Sequence, residues 1–148
     1  MRTTATLEAG CPPEVLFDHV AVLDRYPTWM SLVHGAEPTA SDADPAWSVE
    51  LRTRVGPLAR SKRLRMERTE FEPGRLARFE RRELDDRRHA PWVLIARVDP
   101  SGSGSRLTME LSYGGSLWTG GVLQRILDDE IQRGSERLIQ LVSDAPTP

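Results

Sequence analysis

Arg81, Glu83, His89 and Tyr113 are the residues of this 148-residue chain whose types and spacing suit chemistry at a polar site. Arg81 and Glu83 stand two apart in the stretch Leu76 to Leu84, where strand periodicity gives them a common face. If Phe79 points inward they do too, and both charges must then pair, because an isolated buried charge is costly. A guanidinium held in that way can clamp a developing oxyanion while the carboxylate orients it. His89, in Arg87-Arg88-His89-Ala90-Pro91, has the side-chain type that ordinarily titrates near neutral pH, and the flanking arginines oppose its protonation. Tyr113 closes a later alternating run and offers a phenolic donor. The same residues have a plainer reading. Leu76 and Phe79 fall on opposite faces unless a bulge intervenes, and Arg81 and Glu83 then belong to a surface ion-pair ladder of small energetic weight. Spacing alone leaves both readings open.

Other reaction classes find less support. Cys11 precedes Pro12-Pro13 at a helix start, where a thiol pKa can fall, yet no histidine is near it in sequence, and as a lone cysteine it forms no internal disulfide. Three histidines and one cysteine show no zinc-type spacing, so neither a metal nor a cofactor is expected. Gly114-Gly115 and Gly120-Gly121 lack the lysine and the strand-to-helix setting of a phosphate loop. Ser112-Tyr113-Gly114-Gly115-Ser116 does not make a nucleophile elbow. His19 and His34, read as lying in two short helices, suit packing or surface positions.

The elements that must position these residues follow from length and periodicity. A chain of this length buries one core, and 39% hydrophobic with 28% charged residues is ordinary for a globular domain. No run reaches the roughly 18 apolar residues of a membrane span, and Met1 to Glu8 lacks the apolar stretch of a signal peptide. A cytoplasmic location is the default expectation. The net charge of −2 is unevenly spread. Residues 51–88 hold 13 basic and 7 acidic side chains. Clustered cations can bind phosphates, but the acids interleave with the arginines as they do on a solvated sheet face, so no nucleic acid is expected as a partner.

Thr3 to Glu8 alternates as a short strand. Pro12-Pro13-Glu14 opens a helix, with Val15, Leu16, His19, Val20 and Leu23 at helical spacing, and Tyr26-Pro27 separates it from a second short helix through Thr28 to Val33. From Trp47 to Val55 the period becomes two. Strands are predicted over Leu58–Phe71, Leu76–Leu84, Trp92–Val98 and Leu107–Tyr113, with turns at Gly56-Pro57, Glu72-Pro73-Gly74 and the flexible Pro100 to Ser105. Their short connections predict consecutive antiparallel hairpins. Val122 to Val142 reads as one long helix whose apolar face carries Leu123, Ile126, Leu127, Ile131, Leu138, Leu141 and Val142. Gly134 interrupts that stripe, either as a weak spot or where something bulky comes close. The expectation is one domain over residues 1–143 and a flexible tail over 144–148.

This order, with Pro12-Pro13-Glu14-Val15-Leu16-Phe17-Asp18-His19-Val20 leading to Leu23-Asp24-Arg25-Tyr26-Pro27-Thr28-Trp29, resembles the SRPBCC superfamily. That group includes START lipid-transfer domains, polyketide aromatase/cyclases, birch-type pollen allergens and many bacterial proteins. The segment is similar to the family's D-x-x-x-W-P-x-W element, with Tyr26 in place of the first tryptophan. The resemblance implies an α+β helix-grip fold, a curved antiparallel sheet of about seven strands around the C-terminal helix. It implies a cavity between them for a hydrophobic small molecule, lined here by Trp29, Trp47, Val49, Leu51, Leu64, Met66, Trp92, Leu94, Met109, Leu111, Trp118, Leu123, Leu127 and Ile131. A solid core built from the same residues is the alternative. Three functions stay open: a carrier of a lipid-like or polyketide-like molecule, a cyclase guiding aldol condensation and dehydration through Arg81, Glu83, His89 and Tyr113, and a protein-interaction or stress-response module.

Overall fold

A computed structural model describes residues 2–55, 58–114 and 121–143. Strand β1 (Arg2–Ala9) is followed by helix α1 (Pro13–Phe17) and a 3₁₀ helix (Leu23–Thr28). Six strands then run in succession, β2 (Val33–Thr39), β3 (Ala46–Val55), β4 (Leu58–Glu72), β5 (Leu76–Arg81), β6 (Trp92–Ser101) and β7 (Gly104–Tyr113), before the 23-residue helix α2 (Gly121–Ser143). All neighbours are antiparallel, in the order β1-β7-β6-β5-β4-β3-β2. This is the curved seven-stranded sheet with its C-terminal helix that the helix-grip expectation describes.

Three local expectations are corrected. The two short helices expected on either side of Pro27 are not formed as read: α1 ends at Phe17, which leaves His19 in a turn, Pro27 sits inside the 3₁₀ helix, and the helix expected from Thr28 to Val33 is absent, Val33 and His34 belonging to β2. Strand β2 carries Gly35 and Pro38 and has no apolar alternation, and a proline is tolerated there because β2 is an edge strand. The strand predicted to reach Leu84 stops at Arg81. Pro100 to Ser105, read as a flexible turn, is mostly ladder: Pro100 pairs with Ser105 and Ser101 with Gly104 around a two-residue turn in which Gly102 has φ 57°.

The core lies between the inner sheet face and the α1–3₁₀ segment. Tyr26 and Phe79 are fully buried, with ring centroids 6.2 Å apart in an edge contact, and Trp47 meets Phe79 edge-on at 5.7 Å. Trp29 stacks obliquely against Tyr26 and donates its indole N–H to the His19 carbonyl at 3.2 Å. In α2, Gly134, Leu138 and Val142 are buried, whereas Leu141, expected on the same stripe, is exposed. Gly134 is the place where a bulky group comes close: a Cβ there would lie 3.0 Å from the Trp29 carbonyl oxygen and 3.3 Å from its ring.

Tyr26 donates its hydroxyl to the Val20 carbonyl at 3.0 Å, and burial pushes its phenol far above the ordinary range, so it stays a donor. Replacing Tyr26 by phenylalanine leaves that carbonyl without its buried partner and should lower unfolding free energy by about 1 kcal/mol. Urea denaturation followed by tryptophan fluorescence would measure it; an unchanged midpoint would mean that the bond contributes nothing net.

Candidate functional site

The alternation of each strand decides which side chains face the concave side. In β3, Trp47, Val49 and Leu51 turn inward, in β4 Lys62, Leu64 and Met66, in β6 Trp92 and Leu94, and in β7 Met109, Leu111 and Tyr113. Strand β5 resolves its ambiguous parity in favour of Phe79: Ala77 and Phe79 are buried, Leu76 is half-exposed, and Arg81 shares their side.

Between these strands and the segment leading into β2 lies a small apolar cavity of about 60 Å³, open to solvent at one side. Its wall is Val49 and Leu51 from β3, Leu64 and Met66 from β4, Trp92 and Leu94 from β6, and Met109 and Leu111 from β7, closed by Leu23, Met30, Leu32 and Val33. A space of this size holds a few water molecules, so a larger guest enters only as the wall gives way. Met30, Met66 and Met109 are three of the chain's four methionines, and their unbranched side chains let the wall adapt to a guest.

Eight of the expected lining residues thus meet around one space. Trp29 and Trp47 are elsewhere, in the core: Trp47 is 3% exposed and donates its indole N–H to Asp24 Oδ1 at 2.7 Å. Trp118 falls outside the described residues, as do the side chains of Leu123, Leu127 and Ile131. Sequence reasoning missed Leu23, Met30, Leu32 and Val33, whose spacing suggests helix packing. It also missed Lys62, hidden in a run of alternating cations whose inward member only the β3–β4 register reveals.

Beside the wall, where Arg81 pairs across the sheet with Met66, lies a polar network. The Arg81 side chain, 9% exposed, donates from Nε to Glu83 Oε1 at 3.1 Å, from Nη1 to the Ala90 carbonyl at 3.2 Å and from Nη2 to His89 Nδ1 at 3.3 Å. A guanidinium can only donate, so in that contact His89 Nδ1 accepts, and Nε2 carries the proton that faces Asp85 Oδ1 at 2.7 Å. Hydrogen bonds from His89 and from the Arg87 backbone hold the Asp85 carboxyl below the usual range. Glu83 Oε1 also accepts the Arg65 backbone N–H at 3.0 Å, and so continues the β4 ladder beyond the end of β5. Three of the four chemical candidates form one network. Tyr113 stands on the far side of Trp92, stacked on it at 5.4 Å and 28°; burial and then the charge of Asp128 raise its phenol pKa. Among the described residues no three His, Cys, Asp or Glu side chains gather as a metal would require, and no helix is long and apolar enough to cross a membrane.

With this geometry in hand, the chain can be set beside known proteins. A family model described as polyketide cyclase / dehydrase and lipid transport matches residues 1–143. Among solved structures, one from Thermus thermophilus is similar at TM-score 0.77 and 19% identity, covering 99% of this chain and 100% of that one. A START superfamily protein from Mycobacterium smegmatis is similar at TM-score 0.72 and 15% identity, with 96% and 97% covered. The di-domain ARO/CYC StfQ from the steffimycin biosynthetic pathway is similar at TM-score 0.69 and 14% identity, covering 95% of this chain and 49% of that one. No curated protein sequence matches. At these identities the structural likeness is one of fold.

Proposed function

This chain belongs to the polyketide cyclase / dehydrase and lipid transport family, and from that premise we propose that it binds a hydrophobic or aromatic small molecule, lipid-like or polyketide-like, in the cavity on the inner sheet face. The observation that carries this reading is the cavity wall. All twelve side chains come from apolar or aromatic residues, yet they leave a small unfilled space that opens to solvent. A core built only for stability would close that room, because unfilled apolar space forfeits dispersion contacts. An apolar guest restores those contacts and removes its own surface from water, at roughly 0.8 kcal/mol per buried methylene.

Native mass spectrometry of freshly purified protein, followed by titration with alkyl and naphthyl compounds, tests the reading. Leu111, half-buried in the wall, is the position to fill. Leu111→Trp should occupy the cavity and weaken binding at least about ten-fold, equivalent to 1.4 kcal/mol. Equal affinity in the variant would place the guest elsewhere, and no binding by either protein would remove the carrier reading.

The network of Arg81, Glu83, His89 and Asp85 favours a second reading, a cyclase-type enzyme. The Arg81 guanidinium keeps N–H groups beyond those its partners take and can stabilise an enolate oxygen, whereas His89, engaged at both ring nitrogens by Arg81 and Asp85, exchanges a proton with a substrate only after releasing one of them. Arg81→Ala and His89→Ala should each slow product formation from a poly-β-carbonyl substrate while the protein stays folded. Unchanged turnover would dismiss these roles.

A further inference from the structure

We propose that the cavity selects a carboxylate, an apolar body whose anionic oxygens are received jointly by the Trp92 indole N–H and by the Lys62 amine beside the cavity wall. The proposal rests on the cavity-binding reading above and adds the chemical class of the guest.

Two independent observations meet at this place. Trp92 lines the cavity, is 6% exposed, and its buried Nε1 donor has no acceptor among the described residues. The other indoles of the core are satisfied: Trp29 by the His19 carbonyl and Trp47 by Asp24. A buried donor left unpaired is costly, and a guest oxygen would supply what the protein does not.

The second observation is Lys62. It shares the inner face of β4 with Leu64, stands opposite Leu51, and both neighbours belong to the cavity wall. Its Nζ lies 5.9 Å from the centroid of the Trp92 ring, and no carboxylate among the described residues acts on it. The other cations nearby are committed. Arg81 is held by Glu83, His89 and the Ala90 carbonyl, and Arg65 pairs with Glu67 at 2.6 Å. Glu83 is taken by Arg81 and by the Arg65 backbone, and Asp85 by His89. Lys62 is therefore the uncommitted positive group beside the wall, next to Trp92. Burial, and then the like charge of Arg81, lower its pKa from the ordinary lysine value. An anion placed beside the amine offsets both by favouring its charged form.

A neutral carbonyl or hydroxyl would satisfy the indole but would desolvate the amine further without compensating its charge. A carboxylate does both, since its two oxygens accept from both donors at once and bonds to charged groups are about twice as strong as neutral ones.

Calorimetric titration near neutral pH with two matched pairs, octanoate against octanol and naphthoate against naphthylmethanol, tests the proposal and separates an acyl from an aromatic source of the carboxylate. The wild-type protein should bind at least one acid about ten-fold more tightly than its alcohol. In Lys62→Met, which keeps the length and apolar stem of the side chain, the acid-to-alcohol ratio should fall to near one, and in Trp92→Phe it should fall part of the way. A ratio preserved in Lys62→Met would overturn the proposal. Alcohols bound as tightly as acids by the wild type would overturn it too while leaving the cavity reading standing. Failure of all four compounds to bind would sink both.

Discussion

Phe79→Ala should lower the unfolding free energy by about 3 to 5 kcal/mol, the range for deleting a buried aromatic ring. The ring is fully buried at the centre of the inner sheet face, with Tyr26 and Trp47 packed edge-on against it. How much such a deletion costs depends on whether the surroundings collapse into the hole. Here they are tied back. Tyr26 is held by its hydrogen bond to the Val20 carbonyl, and Trp47 by its bond to Asp24, so either ring can follow the missing one only by breaking a buried bond. The loss should therefore fall at the upper end of the range, a large fraction of the roughly 5–15 kcal/mol that usually separates folded from unfolded domains. Urea denaturation would measure it. Phe79→Leu, which fills most of the volume, should cost much less; equal losses from the two variants would show that the aromatic edges, not the volume, matter here.

The place of Phe79 also shows what can be read from the sequence and what cannot. Long alternating runs such as Trp47 to Val55 declare a two-sided strand, and the amphipathic stretch after Gly121 declares a helix, because both patterns come from one element burying one face. Strand β5 is ambiguous in sequence because it is only six residues long and its inner face holds Ala77, Phe79 and Arg81. A charge on the buried side breaks the pattern from which parity is inferred. The bulge that shifts the β4–β5 register between Arg68 and Glu70 is likewise a property of pairing, which a single chain segment does not encode locally. Strand β2 is illegible for another reason. It is an edge strand with glycine and proline, held by its ladder to Ala46–Leu51 and not by its own propensity. At the site, the inward faces of β3 and β7 follow from alternation, whereas Trp92 and Leu94 of β6 lie in a nearly continuous apolar run whose pattern does not show its inward face. Nor do Met30, Leu32 and Val33 follow from alternation, because they come from a segment whose conformation is set by what it packs against.

The same geometry fixes the expected fate of the Arg81–Glu83 pair, which sequence spacing leaves between a surface ladder and a buried clamp. Glu83→Ala should cost about 2 to 3 kcal/mol, below the roughly 3–5 typical of breaking a fully buried pair, because the carboxylate retains some contact with water; its side chain is 20% exposed against 9% for Arg81. Two donors lose their acceptor at once, the Arg65 backbone N–H and Arg81 Nε, and the first is the point where β4 runs on without β5 beside it. Glu83→Gln keeps a carbonyl oxygen for those donors and should lose only about 1 kcal/mol. Arg81→Met in the Glu83→Gln background removes the cation that lacked its counter-charge, so the double variant should be more stable than additivity of the singles allows. Urea unfolding of the four proteins measures this coupling. Strict additivity would mean that the two side chains act independently of each other, and would return Arg81 to the description of a weak surface ion pair.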